Sequence, residues 1–229
     1  MPICLYLVYI PKPEENFSQK IIPFLPKNSQ IKILKNRFPA DQWRATLSEL
    51  LLREMLAQEL TVSPDTLQIQ MDSYGKPFLK DRKRHFNLSH TGDAIILATD
   101  DSPIGVDIEC ICSFSDLDQL LTQFSQEEKC RYQEKAKEKR VDFFYELWTL
   151  KESYIKALGK GLSCSLDSFS INISDTEAHL SRGIDSDISW YFKCYTFGNQ
   201  YKCAVCARHN QFPEGASIIE AENLVGLYR

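Results

Sequence analysis

Two short stretches carry residues that could do chemistry together: Ile104-Gly-Val-Asp-Ile-Glu109 and Trp148-Thr-Leu-Lys-Glu-Ser-Tyr-Ile-Lys156. In the first, aliphatic residues alternate with Asp107 and Glu109, so a strand would place both carboxylates on one face. In the second, a helix would bring Glu152 and Lys156 one turn apart. Asp107, Glu109 and Glu152 together offer the oxygen ligands that magnesium prefers, with no histidine or thiolate in the set. An uncompensated carboxylate cluster repels itself, and a cation is its natural neutraliser. Lys151 and Lys156 would then balance phosphate charge, as a phosphoryl-transfer site requires. Taken singly, the same residues read more simply as a wet strand face and a surface ion pair.

The elements that must position these groups follow from periodicity and turn residues. Leu5 to Ile10 is a β-rich run that stops at Pro11. A basic stretch follows, with Lys27, Lys32, Lys35 and Arg37, and reads as a solvated helix or loop. Trp43, Leu47, Leu50, Leu51, Met55 and Leu56 predict a helix from Asp41 to Leu60, with Asp41 as its N-cap. Leu67 to Met71 alternates as a strand, Tyr74-Gly-Lys-Pro77 is a turn, and Lys80 to His85 is a solvated basic loop. Phe86-Asn-Leu-Ser-His90 leads through Gly92 into a buried strand, Ala94 to Thr99. A turn at 100–103 precedes the Ile104 strand.

Further on, helices are expected over Leu117 to Phe124 and Gln126 to Lys139, the second largely solvated. A third runs from Val141 to Leu158 and exits at Gly159-Lys-Gly161. Phe169 to Ile173, Ile188 to Phe197 and Tyr201 to Ala207 read as strands. Each half thus holds strands and one long helix, with a boundary near 102–104.

Composition removes several classes. No run of about 20 apolar residues exists to span a membrane. The apolar N-terminus lacks a basic segment and a cleavage site, so it is expected to be a core strand rather than a signal peptide. The net charge of −4 argues against general nucleic-acid binding. The eight cysteines are scattered, and Cys203-Ala-Val-Cys206 has no second ligand pair nearby. Reduced core thiols and a cytoplasmic location are the expectation.

The two opening stretches, followed by Ala-Leu-Gly-Lys-Gly-Leu162, closely resemble the signature of the 4′-phosphopantetheinyl transferases, in order and in spacing. The chain looks like the surfactin-synthetase-activating type, with two similar halves. The resemblance extends to Tyr74-Gly-Lys-Pro77, Phe86-Asn-Leu-Ser-His90, Leu166-Asp-Ser-Phe-Ser170 and Tyr201-Lys-Cys-Ala-Val-Cys206. It implies an α+β fold of two pseudo-symmetric halves, each a small, mostly antiparallel sheet packed with a long helix. The halves would be residues 1–103 and 104–229, the second carrying the metal site, with the ligand cleft between them.

It also implies transfer of 4′-phosphopantetheine from coenzyme A to a serine of an apo acyl or peptidyl carrier protein, releasing 3′,5′-ADP. Such carriers serve fatty acid, polyketide or nonribosomal peptide synthesis. Asp107, Glu109 and Glu152 would hold magnesium. Lys156, Ser89 and His90 would touch phosphate, Lys76 and Pro77 would lie along the adenine, and Lys32 and Arg44, aided by Lys27 or Lys35, would hold the 3′-phosphate. Glu152 is the implied base, with Asp107 and Lys156 beside it in catalysis. Where the related pattern has a small hydroxyl residue after Arg44, this chain has Ala45, then Thr46. A monomer is expected. Exposed cations at 82–84 would steer an acidic carrier. An inactive coenzyme A or carrier-binding module and a magnesium-dependent phosphohydrolase are the alternatives.

Overall fold

The computed structural model describes residues 2–12, 17–112, 117–174, 177–183 and 189–227. The first half is built from β1 (Cys4–Tyr9), α1 (Phe17–Ile21), α2 (Lys27–Leu34), α3 (Pro39–Leu60), β2 (Ile69–Met71), β3 (Pro77–Leu79), β4 (His85–Thr91) and β5 (Ala94–Asp100). The second comprises β6 (Gly105–Cys110), α4 (Leu117–Leu121), α5 (Gln126–Glu134), α6 (Lys137–Leu158), β7 (Ser170–Ile173), β8 (Ala178–Arg182), β9 (Tyr191–Phe197) and β10 (Tyr201–Ala207). The tail adds β11 (Ser217–Ile218) and α7 (Ala221–Gly226).

The halves repeat one plan. A strand leads to a 22-residue helix, then a short two-stranded ribbon, then a long hairpin whose second strand pairs back, antiparallel, with the first. This gives the orders β1-β5-β4 and β6-β10-β9. The α+β, two-half expectation holds. The tail departs from a strict division, because β11 pairs parallel with β1 and Leu224 and Val225 join the first-half core around α3.

Both long helices bury one apolar face, Leu47, Leu50 and Leu51 on α3 and Phe143, Phe144, Leu147 and Leu150 on α6. A third apolar cluster lies between the sheets, where Leu5, Leu7, Ile96 and Ala98 meet Val106, Ile108, Cys203 and Val205. That cluster fixes how the halves sit on each other. Cys203 and Cys206 are buried free thiols, as expected from the sequence. No described helix is long and apolar enough to cross a membrane.

Several boundaries and environments differ from the sequence reading. Helix α3 begins at Pro39, which needs no amide donor in the first turn, so Phe38 is the N-cap and Asp41 sits inside. The expected helix 126–139 stops at Glu134, and α6 starts at Lys137. The strand expected from Ile188 begins at Tyr191, and Ile188 itself lies outside the described residues. The Lys80 to His85 stretch is not wholly solvated. Arg84 is buried and donates to Glu59 (2.6 Å), Asp101 (2.7 Å) and the Pro2 carbonyl (2.7 Å), so it cannot steer a partner.

Candidate active site at the seam of the two halves

The site forms where β6 meets the last turns of α6. Gly105 makes this possible. A Cβ there would lie 2.0 Å from the Ser153 carbonyl oxygen and 2.4 Å from the Ala157 nitrogen, so only glycine lets the helix backbone rest on the strand. Lys76, from the first half, secures the crossing. Its ammonium donates to the carbonyls of Ile104 (3.2 Å), Ala157 (3.3 Å) and Lys156, placing positive charge at the C-terminus of α6. Burial pushes its pKa down to about 8. The charged end of Lys76 therefore fastens elements together, while its stem and Pro77 line a cavity. Gly159 ends α6 in the left-handed conformation, as its sequence position predicted.

With helix and strand this close, Asp107 and Glu109 face Glu152 and Lys156. Lys156 donates to Asp107 Oδ1 (2.6 Å) and to Ser89 Oγ (2.8 Å), and Ser89 in turn donates to Asp107 Oδ1 (2.8 Å). Asp107 is only 3% exposed, so the carboxylate face of β6 is not the wet face its alternation first suggested. Burial, then the charge of Asp107, pushes the Glu109 carboxyl up to about 7 and raises that of Glu152. Although His90 is exposed, partial desolvation at the site, then the charges of Arg44 and Lys156, hold its imidazole below the ordinary value.

Strand β4 reaches this cluster without a backbone ladder to β6. Asn87 Oδ1 accepts from the Val106 amide (2.9 Å), and Thr91 Oγ1 accepts from the Cys110 amide (3.3 Å) while donating to Glu109 Oε2 (3.0 Å). Asn87, Ser89 and Thr91 alternate along β4, and that period of two is the sequence signal that could have identified Asn87 and Thr91.

Two cavities open beside the cluster. One, of about 350 Å³, is bounded by Ser89, His90, Asp107, Glu109, Trp148, Glu152 and Lys156. The other, about 850 Å³, runs from Trp148, Glu152 and Lys156 to Tyr74, Lys76 and Pro77 on one side and residues 164–167 on the other. Its size suits a cofactor-sized ligand. Trp148 borders both, a role its apolar helix position did not reveal. Lys32, Lys27 and Lys35 are exposed around α2 and line neither cavity. Arg44 donates to the Gly92 carbonyl (3.1 and 3.3 Å) and to Asp41 (2.8 Å). Thr46 does not replace the hydroxyl missing at Ala45, because it is buried and bonded to the Gln42 carbonyl (2.7 Å).

Lys151 is a correction. It is fully buried, donates to both oxygens of Glu128 (2.7 and 2.9 Å) and to the Phe169 carbonyl (2.9 Å), and sits over the Phe169 ring. It faces away from the phosphate side of α6, one residue's rotation from Glu152.

The donor set suits a divalent cation. Asp107 Oδ2 is buried and has no hydrogen-bond partner, and two neighbouring carboxyls are raised partly by mutual repulsion. A cation would relieve both. Among the described residues, no three ligating side chains yet stand close enough to enclose an ion, since Asp107 is drawn to Lys156 and Glu109 to Thr91. The arrangement sets three carboxylates and one ammonium around a single cavity.

A family model of the 4′-phosphopantetheinyl transferase superfamily matches residues 103–206, and one of the 4′-phosphopantetheinyl transferase N-terminal region matches 11–102. The chain is 34% identical over 225 residues to 4′-phosphopantetheinyl transferase Sfp of Bacillus subtilis, covering 96% of this chain and 99% of that one. It is 36% identical over 169 residues to 4′-phosphopantetheinyl transferase gsp of Aneurinibacillus migulanus, covering 73% and 69%. Among solved structures, holo-[acyl-carrier-protein] synthase of Thermotoga maritima aligns at 18% identity with a TM-score of 0.36, over 45% of this chain and 61% of that one.

Proposed function

The chain belongs to the 4′-phosphopantetheinyl transferases, and from that premise we propose how its residues carry out the transfer. The reaction moves 4′-phosphopantetheine from coenzyme A to a serine hydroxyl of an apo carrier protein and releases 3′,5′-ADP. The bond from the β-phosphorus to the leaving ADP oxygen breaks as the bond to the serine oxygen forms. One observation carries the assignment of parts: Lys156 bridges Asp107 and Ser89 at the junction of the two cavities.

Asp107, Glu109 and Glu152 would hold a magnesium ion, whose charge would stabilise the pyrophosphate. Lys156, with Ser89 and His90, holds the phosphate that leaves with the nucleotide. Glu152 takes the serine proton, directly or through water. Its carboxyl borders both cavities, where an entering serine hydroxyl would meet it. The adenine end lies against Pro77 and the Lys76 stem, and the 3′-phosphate is met by Arg44 and by Lys32 or a neighbouring lysine. The halves divide at 103/104 apart from the tail. Because they enclose one cleft, the enzyme works as a monomer, in the cytoplasm where coenzyme A and carriers meet.

Incubation with coenzyme A, magnesium and an apo carrier, read by intact mass, tests this. One phosphopantetheine added to the carrier is the expected result. Binding without product would make the chain a binding module. Coenzyme A consumed without labelling would make it a phosphohydrolase.

A further inference from the structure

The edges of the two sheets meet through side chains, and one of these side chains has its proton direction fixed. Thr91 Oγ1 accepts from the Cys110 amide at 3.3 Å, so its own hydroxyl hydrogen points elsewhere, to Glu109 Oε2 at 3.0 Å. Its Cβ branch further restricts rotation about χ1. We propose that Thr91 is a positioning residue that holds Oε2 of Glu109 and thereby presents Oε1 to the cavity between β6 and α6 as a cation ligand. The inference rests on the reading of Asp107, Glu109 and Glu152 as a cation site.

Three observations point to Thr91 in particular. Glu109 lines the smaller cavity, where Asp107 and Glu152 repel it and Lys156 attracts it, so a hydrogen bond of its own decides which way the carboxylate turns. Asp107 already has two donors on one oxygen, from Lys156 and Ser89, whereas Thr91 is the donor on Glu109. The same hydroxyl is tied to the strand that carries Glu109, through the next residue's amide. Oxygen and amide therefore move together, and the carboxylate keeps its place relative to β6.

Magnesium binding to the full chain, followed by calorimetry, tests the proposal together with thermal unfolding without metal. Thr91→Val, which keeps the shape and loses the hydroxyl, should weaken magnesium binding by about 10–100-fold, the usual loss when a ligand's supporting partner is removed. Thr91→Ser, which keeps both hydrogen bonds, should bind as the wild type does. In a Glu109→Gln background, Thr91→Val should add no further loss. Wild-type affinity in Thr91→Val, or additive losses in the double variant, would overturn the role of Thr91. No magnesium binding by the wild type would instead overturn the cation site itself. Should Thr91→Val not fold, Thr91→Cys, a weaker donor of similar size, gives the same comparison and should fall between Val and Ser.

Discussion

Counted from their first residues, the two 22-residue helices place matching groups at matching positions and use them differently. The fifteenth residue is a buried cation in both. Arg53 donates to Glu49 (2.6 Å) and to the carbonyls of Pro64 (3.2 Å) and Leu67 (3.3 Å). Lys151 donates to Glu128 and the Phe169 carbonyl. The sixteenth is glutamate in both, Glu54 and Glu152. At the twentieth they part, with Gln58 in α3 and Lys156 in α6. The strands part too: the third and fifth residues of β1 are Tyr6 and Val8, where β6 has Asp107 and Glu109. The shared cation belongs to the scaffold, tying each helix to the segment after it. The proposed site residues Asp107, Glu109 and Lys156 stand only on the second copy, whereas the glutamate at the sixteenth position is common to both.

The strongest break of the comparison is at the twentieth position. Lys156→Ala makes α6 resemble α3 there and should lower kcat about 10²–10³-fold, the usual loss for one preorganised donor at a developing charge. Stability should fall less than for a fully buried pair, because Lys156 is 28% exposed, although the buried Asp107 loses its cation (2.6 Å). The mass assay run at several coenzyme A concentrations, with denaturant unfolding alongside, checks both parts.

That difference between neighbours marks what the sequence could and could not convey. Periodicity was sufficient for α3, α6, β5 and β10, because each buries a continuous apolar face. The four-residue spacing from Glu152 to Lys156 correctly put those two on one helix face. It could not tell Lys151 from Lys156, since the partner that buries Lys151 is Glu128, on α5, and the ring it covers is Phe169. Arg84 is hidden from a sequence reading for the same reason: its partner Glu59 lies on α3, while Asp81, Arg82 and Lys83 just before it are charged and exposed. Short pieces are held by pairing rather than by their own pattern, β8 in a hairpin with β7 and β11 against the distant β1.

The fifteenth position should respond in the opposite way. Lys151→Met leaves Glu128 buried and charged without its cation, and should cost about 3–5 kcal/mol of stability, read by denaturant unfolding. Glu128 also completes a capping box with Ser125 and accepts from the Ile171 amide (2.9 Å). Lys151→Met combined with Glu128→Gln keeps the cap and removes the stranded charge, so it should recover part of the loss. A phosphate role for Lys151 would instead show as lost activity in a variant of normal stability.

The smallest effect sharpens the electrostatics of the site. His90 titrates below the ordinary imidazole value, so from that value downward the unfolded chain takes up the proton first and stability declines as pH falls. Arg44→Ala or Lys156→Ala removes a neighbouring positive charge and should move the His90 pKa upward. Titration of the ring by NMR checks the direction.

The seam between the sheets also bears on solubility. An unpaired strand edge is a template for another chain. Here the outer edge of β4 and the edge of β6 are closed against each other by Asn87, Ser89 and Thr91, and two residues of the tail, Ser217 and Ile218, cover the far edge of β1. The same hydroxyls that order the site thus keep two adhesive edges out of solution. A change that opened the seam would expose the protein to misassembly as well as to loss of catalysis.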